Sequence, residues 1–218
     1  MNKENIKAIL FDLDGTLFKT EAYQIKAWDE VLKKRGITVS PKDYFKYIGK
    51  TALEVEKDLI KDFGLDIQEG ELEKEKEELI LKWFRGEDLE LMPYAREALE
   101  FFSNQPDFKL ALCTSGSEKE VVCKLKKNNL SDKFDVIITK DDVSRGKPAP
   151  DVYLEAMERM GLQGYQCLAI EDTEHGLEAA KRAGAFCFAI PQEFSLGQDF
   201  SKADKVLESL KDVVCFFE

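Results

Sequence analysis

The sequence predicts an α/β chain: a parallel sheet with helices on both faces and a separate helical segment inserted after the first strand. Three observations lead there. Short apolar runs stop repeatedly at polar turns, the stretches between them carry apolar residues at i, i+3, i+4 and i+7, and residues 19–86 hold helical patterns without strand-like runs. Strands alternating with helices specify a parallel sheet whose active residues sit at the carboxyl ends of strands.

In chain order, Ile6 to Phe11 reads as a buried strand that stops at Asp12-Leu13-Asp14-Gly15. The inserted segment follows, with amphipathic patterns at Ala22, Ile25, Trp28 and Leu32 and in the charged stretch Glu71 to Phe84. Its charge run Glu69 to Glu78 reads as a solvated helix face, because Leu72, Leu79 and Ile80 supply an apolar side. A helix through Ala95, Ala98, Leu99 and Phe102 then leads to a second strand, Phe108 to Cys113, ending at Thr114-Ser115-Gly116. Ser117 with Glu120 resembles a capping box for the next helix. The third strand, Phe134 to Ile138, ends near Thr139-Lys140-Asp141, and a helix through Tyr153, Ala156, Met157 and Met160 closes at Gly161. Leu168 to Ile170 ends at Glu171-Asp172, a helix runs through Leu177 to Ala183 ahead of Gly184, and Phe186 to Ile190 is the fifth strand. The expected division is a core of residues 1–18 and 87–218 and a helical domain of residues 19–86.

A chain of 218 residues, 44% hydrophobic and 34% charged, is long enough to bury one large core and carry a smaller insertion. No apolar run is long enough to span a membrane, and Met1 to Lys7 is polar and leads directly into a strand, so a cytoplasmic protein is expected. The five cysteines form no CxxC pair, which favours reduced thiols over disulfides or zinc. A net charge of −11 without a basic stripe argues against nucleic acid. Any phosphate site must therefore be made locally positive by a metal ion, a lysine and backbone N–H groups. A monomer is expected.

Asp12 and Asp14 put two carboxylates in one turn directly after a buried strand, and Gly15 lets that backbone bend toward a ligand. One carboxylate can attack, forming an acyl phosphate, while the other moves protons. Asp-x-Asp-Gly is also a common acidic turn. Glu171-Asp172 brings a second acidic pair to the same sheet edge. Clustered carboxylates repel unless a hard cation lies between them, and Mg2+ fits, with Asp12, the Asp14 carbonyl and Asp172 as candidate ligands. Asp172 is equally placed to cap the following helix. Thr114 and Ser115 end another strand and offer hydroxyls and free N–H groups to phosphate oxygens ahead of a helix. Lys147, in Arg145-Gly146-Lys147-Pro148-Ala149-Pro150, is a candidate fixed countercharge, although a surface lysine is usually just solvated.

In order, Asp12-Leu13-Asp14-Gly15-Thr16, Thr114, Lys147 before Pro148 and Glu171-Asp172 resemble the four motifs of the haloacid-dehalogenase superfamily, over nearly the whole chain. The resemblance implies a Rossmann-like core with a helical cap and Mg2+-dependent hydrolysis of a small phosphorylated metabolite. It assigns Asp12 as nucleophile, Asp14 as general acid and base, Thr114 and Lys147 to the phosphate, and Glu171 to the metal site beside Asp172. Thr20-Glu21-Ala22-Tyr23, Ala27-Trp28 and Ile48-Gly49-Lys50-Thr51 look like the cap of the β-phosphoglucomutase-like branch. Its mutases carry a histidine where Gln24 aligns and an arginine where Ala52 aligns, which favours a phosphatase over a hexose-phosphate mutase. A catalytically silent binding protein on the same fold is the remaining alternative. Lys50 is a candidate substrate contact or a solvated loop lysine. Lys19, in place of a common aspartate, either alters the hinge or adds charge at the cleft mouth. His175 either approaches substrate or faces solvent, the latter being favoured, and Cys113 needs no redox role.

Overall fold

The computed structural model describes residues 2–86 and 88–218, so the expected domain boundary at residue 87 lies outside the described residues. Strands β1 (Ala8–Phe11), β2 (Lys109–Cys113), β3 (Val136–Ile138), β4 (Cys167–Glu171), β5 (Phe186–Ala189) and β6 (Lys205–Val206) form one parallel sheet in the order β3-β2-β1-β4-β5-β6. The first five match the apolar runs of the sequence with ends moved by a residue or two. The sixth escapes any periodicity because it has two exposed residues. Asp204 fixes it: its N–H donates to Cys187 O and its carboxylate accepts from Cys187 N–H, both at 2.8 Å.

Helices α1 (Glu21–Lys33), α2 (Ala52–Phe63), α3 (Glu71–Gly86) and α4 (Ala95–Ser103) lie between β1 and β2; α5 (Glu118–Lys127), α6 (Asp151–Met160), α7 (Glu174–Arg182) and α8 (Leu210–Phe217) follow. The two-residue period of a strand sends alternate side chains to opposite faces. Ile9 and Phe11 thus join Leu99, Phe102, Val121 and Val213 from α4, α5 and α8. Ala8 and Leu10 face α6 and α7, packing with Tyr153, Ala156, Leu177 and Ala180. Because β1 pairs with β2 on one side and β4 on the other, the carboxyl ends of these three strands open onto a crevice where the strand order reverses direction.

The helical segment leaves and rejoins the core through two linkers that run side by side. Lys19 N–H donates to Glu90 O and Met92 N–H to Leu17 O, each at 2.9 Å, and Phe18 bridges Leu91 in antiparallel fashion. Lys19 Nζ lies 2.5 Å from Glu90 Oε1, so this lysine ties the linkers together. Helices α1 to α3 share their own cluster around Trp28, Val31, Tyr44, Val55, Leu59 and Leu72, whereas Ala27, Ile80 and Phe84 join the sheet-side core. Among the described residues no helix is long and apolar enough to cross a membrane.

Candidate active site

The site begins where β1 ends. Asp12 N–H still donates to Ile170 O at 3.0 Å, so the ladder fixes Asp12 before the chain turns away. Leu13 is fully buried, and Gly15 takes φ 82°, a left-handed conformation natural to glycine. A Cβ there would overlap the carboxylate of Asp172, so this turn and the end of β4 lie in direct contact. Thr16 Oγ1 donates to Asp172 Oδ1 at 3.5 Å.

Asp12, Glu171 and Asp172 are buried, with a carboxylate oxygen of each within 4.8 Å of those of the others. Burial raises the pKa of Asp12 well above the usual carboxylate range despite the opposing pull of Lys147. Burial and repulsion from Asp12, Glu21 and Glu171 do the same to Asp172. An all-oxygen set that repels itself suits a hard divalent cation. Lys147, 3% exposed, supplies the positive charge already present: its Nζ lies 2.5 Å from Asp12 Oδ1, 2.6 Å from Glu171 Oε1 and 2.9 Å from Cys113 O. Burial alone would lower its pKa; Asp12 and Glu171 outweigh that and push it up. Three acceptors occupy all three N–H donors of an ammonium. Lys147 is therefore a buried clamp on two carboxylates, and the reading of it as a solvated surface lysine fails. Tyr153 OH, on α6, donates to Glu171 Oε1 at 2.5 Å.

Asp14 Oδ1 accepts from Lys124 Nζ at 2.5 Å and from Thr20 Oγ1. Burial alone would raise its pKa, but the Lys124 ammonium, aided by Thr20, holds it below the usual range. Thr114 is 2% exposed, and its Oγ1 accepts from Gly116 N–H at 3.0 Å. The expectation that this N–H is free for phosphate is thus corrected. Ser115 is half-buried on the wall of the same cavity.

That cavity, about 120 Å³, is lined by Asp12, Asp14, Thr114, Ser115, Lys147 and Asp172 from the strand ends and by Gln24, Ile25, Trp28, Tyr44, Tyr47 and Lys76 from the helical segment. Lys50 and Ala52 also line it, yet Lys50 Nζ pairs with Asp58 Oδ2 at 2.7 Å and is neither solvated freely nor directed at a strand-end residue. The two halves touch closely: a Cβ on Gly146 would overlap the methyl group of Thr51. Three further expectations are corrected. Thr173, not Asp172, caps α7, its side chain accepting from Gly176 N–H. Ser117 Oγ accepts from Glu120 N–H, but Glu120 turns its carboxylate to Gln24, Lys76 and Lys124 and not back to the cap. His175 is half-buried, with Nδ1 shielded from solvent and close to Gly49.

The residues that sequence reasoning passed over are Lys76, Glu120, Lys124 and Tyr153. A signal existed for two of them. Lys124 lies at i+3 from Val121 and beside Leu125, and Lys76 lies between Leu72 and Ile80 at four-residue spacing, so each is a charge on an apolar helical stripe.

Similarity to known proteins agrees with this geometry. The family model for haloacid dehalogenase-like hydrolases matches residues 6–184. The chain is 32% identical over 212 residues to a putative phosphatase, YhcW, of Bacillus subtilis, covering 95% of this chain and 94% of that protein. It is also 32% identical over 189 residues to a phosphorylated carbohydrates phosphatase of Thermotoga maritima, covering 82% of each. Among solved structures, CbbY from Rhodobacter sphaeroides in complex with phosphate superposes with a TM-score of 0.86 at 25% identity, over 95% of this chain and 96% of that one. With the four motif segments gathered at one crevice and the family model spanning most of its length, this chain belongs to the haloacid dehalogenase-like hydrolases.

Proposed function

We propose that the chain is a Mg2+-dependent phosphatase that hydrolyses a small phosphomonoester, a sugar phosphate by class, through a phosphoaspartate on Asp12. The observation that carries this reading is the self-repelling carboxylate set of Asp12, Glu171 and Asp172, of which Asp12 and Asp172 reach the wall of a cavity whose volume of about 120 Å³ suits a small ligand. The names of the relatives support phosphate-ester chemistry, and two of them refer to phosphorylated sugars.

Bound by Asp12, Glu171, Asp172 and the Asp14 carbonyl, Mg2+ would neutralise the carboxylates and the phosphoryl oxygens near them. Asp12, aimed by Lys147, attacks phosphorus in line with the leaving oxygen. Asp14 gives a proton to that oxygen, then takes one from the water that cleaves the phosphoaspartate. Thr114 and Ser115 hold phosphoryl oxygens, and Lys147 joins them by exchanging one of its three acceptors. A loose phosphoryl transition state leaves the protein mainly placement and charge compensation to supply.

In this reading residues 19–86 act as a cap that excludes water and selects the leaving group, and residues 1–18 and 87–218 carry the chemistry. Ala52 on the cavity wall offers no second phosphate grip, and Gln24 Nε2 is engaged by Glu120 Oε2 at 3.3 Å, which favours release of phosphate over its return to the sugar. The test is a panel of phosphorylated metabolites with Mg2+, read as liberated phosphate, together with β-glucose 1-phosphate assayed for glucose 6-phosphate. Phosphate release without isomerisation supports the phosphatase. Isomerisation would establish the mutase, and inertness toward every ester would leave a binding protein.

A further inference from the structure

The mechanism leaves several buried charges unexplained, Lys76, Glu120 and Lys124 among them. Lys124, in α5, is fully buried although Lys126 and Lys127 beside it are exposed. Its Nζ lies 2.5 Å from Asp14 Oδ1, 3.8 Å from Glu120 Oε2 and 5.2 Å from the ring centroid of Phe84 in α3. Withdrawing an ammonium from water is costly, and a leucine or methionine would fill the same space on the apolar stripe without that cost. The ion pair with Asp14 is thus what distinguishes lysine at this position.

The geometry of the pair is asymmetric. Lys124 and Thr20 both donate to Oδ1. Oδ2 lies 3.8 Å from where a Cβ on Gly116 would stand, a point also close to Thr114 Oγ1 and Glu120 Oε2, and Asp14, Thr114, Gly116 and Glu120 all line the cavity. A carboxylate held through one oxygen by two donors on different elements has its plane and its second oxygen fixed.

We propose that Lys124 is a positioning residue for proton transfer: with Thr20 it pins Asp14 Oδ1 so that Oδ2 is presented to the ester oxygen of the substrate. The inference rests on the phosphatase reading above. In the step it serves, the Asp12 Oδ–phosphorus bond forms as the phosphorus–ester oxygen bond breaks, and Asp14 Oδ2, ionised in the free site because Lys124 and Thr20 hold its pKa down against burial, relays the proton brought by the phosphomonoester monoanion to the departing oxygen. In the second step water gives a proton to Oδ2 as its oxygen bonds phosphorus and Asp12 departs as a carboxylate.

Leaving-group chemistry separates this role from simple packing. An alkyl alcohol needs a proton to leave, whereas p-nitrophenolate departs as a stable anion. The measurement is kcat/KM, set by steps up to phosphorylation of Asp12, for an alkyl sugar phosphate and for p-nitrophenyl phosphate. Lys124→Met should lower the alkyl value by about a hundredfold and the aryl value by no more than about threefold, the split expected when a general acid is misdirected. Lys124→Arg should recover part of the alkyl rate. Thr20→Val, which removes the other donor and leaves the buried lysine in place, should show the same selectivity at smaller size and decides the matter if Lys124→Met does not fold. Equal losses on both substrates in the folded variants would overturn the positioning role while leaving the phosphatase intact. Absence of phosphate release by the unaltered protein from either ester would instead overturn the phosphatase reading, and this inference with it.

Discussion

The strand ends and the helical segment handle charge in opposite ways. At the strand ends Asp12, Lys147, Glu171 and Asp172 are at most 7% exposed and each touches another charge of the group. In the helical segment most ion pairs lie at the surface, such as Lys46 with Asp62 and Lys57 with Glu69, and the wall turned to the cavity mixes the rings of Trp28, Tyr44 and Tyr47 with aliphatic side chains and a few charges. Surface pairs contribute about 0–1 kcal/mol each, while charges out of water act strongly on whatever binds between them. The sheet is the part able to hold such charges, because Asp12, Glu171 and Asp172 lie at or just past the ends of strands locked by hydrogen bonds to their neighbours, and Lys147 reaches two of them from the loop ahead of α6. The helical segment is suited to choosing a shape.

Substitutions can break this contrast. The largest effect is expected at the floor of the crevice: Asp12→Asn should reduce phosphate release to background, and Asp14→Asn should lower it by roughly a hundred- to ten-thousand-fold, the usual range for a general acid and base. Normal turnover in either would remove the strand ends from the chemistry. Chelation should come next, abolishing phosphate release until Mg2+ is restored and, because a cation relieves repulsion among Asp12, Glu171 and Asp172, lowering the melting temperature measured without substrate. An unchanged melting temperature and rate would argue against the cation.

A smaller effect is expected where the two regions meet. Gly146→Val would push against Thr51, and misplacing a substrate wall costs about ten- to a hundredfold in kcat/KM. The loss should be greatest for substrates with large leaving groups; equal losses for all esters would mean that the loop of Lys147, not the fit of the cap, was disturbed. The smallest effect concerns Glu21, which burial and the charge of Asp14 push up to about 7. Its unfolded carboxyl titrates near about 4.3, so the folded state holds the proton more tightly between those values. Stability should therefore fall as pH rises from 5 to 7 and level off above, and Glu21→Gln should flatten that slope by roughly 1 kcal/mol for this half-buried group. Denaturant midpoints at several pH values read it directly.

Asp12, Asp14, Thr114, Glu171 and Asp172 are legible because they close or follow apolar runs that read as buried strands, whereas Lys147 stands out only by its proline-flanked loop, and the period of two decides which side chains face each layer. The helical character of residues 19–86 was equally plain from spacing. Less legible were the partners. Among the positive charges around the site, Lys147 reads from the sequence as a fixed countercharge or a solvated lysine, Lys76 falls in the run read as a solvated helix face, and Lys124 draws no reading, although Lys76 and Lys124 each interrupt an apolar stripe. Gly116 N–H, expected to be free for phosphate, is already engaged by Thr114, and Lys50, read as either a substrate contact or a solvated lysine, pairs with Asp58.

By itself the sequence determined the alternation of strands and helices and the four polar strand ends, since local periodicity and turn chemistry act over a few residues. Only the tertiary structure decided which strand lies beside which, that β1 sits between β2 and β4, and that residues 110 positions apart, Asp14 and Lys124, form a buried pair. Burial and electrostatic pairing are properties of distance in space, and the chain encodes that distance only through the packing of the whole molecule.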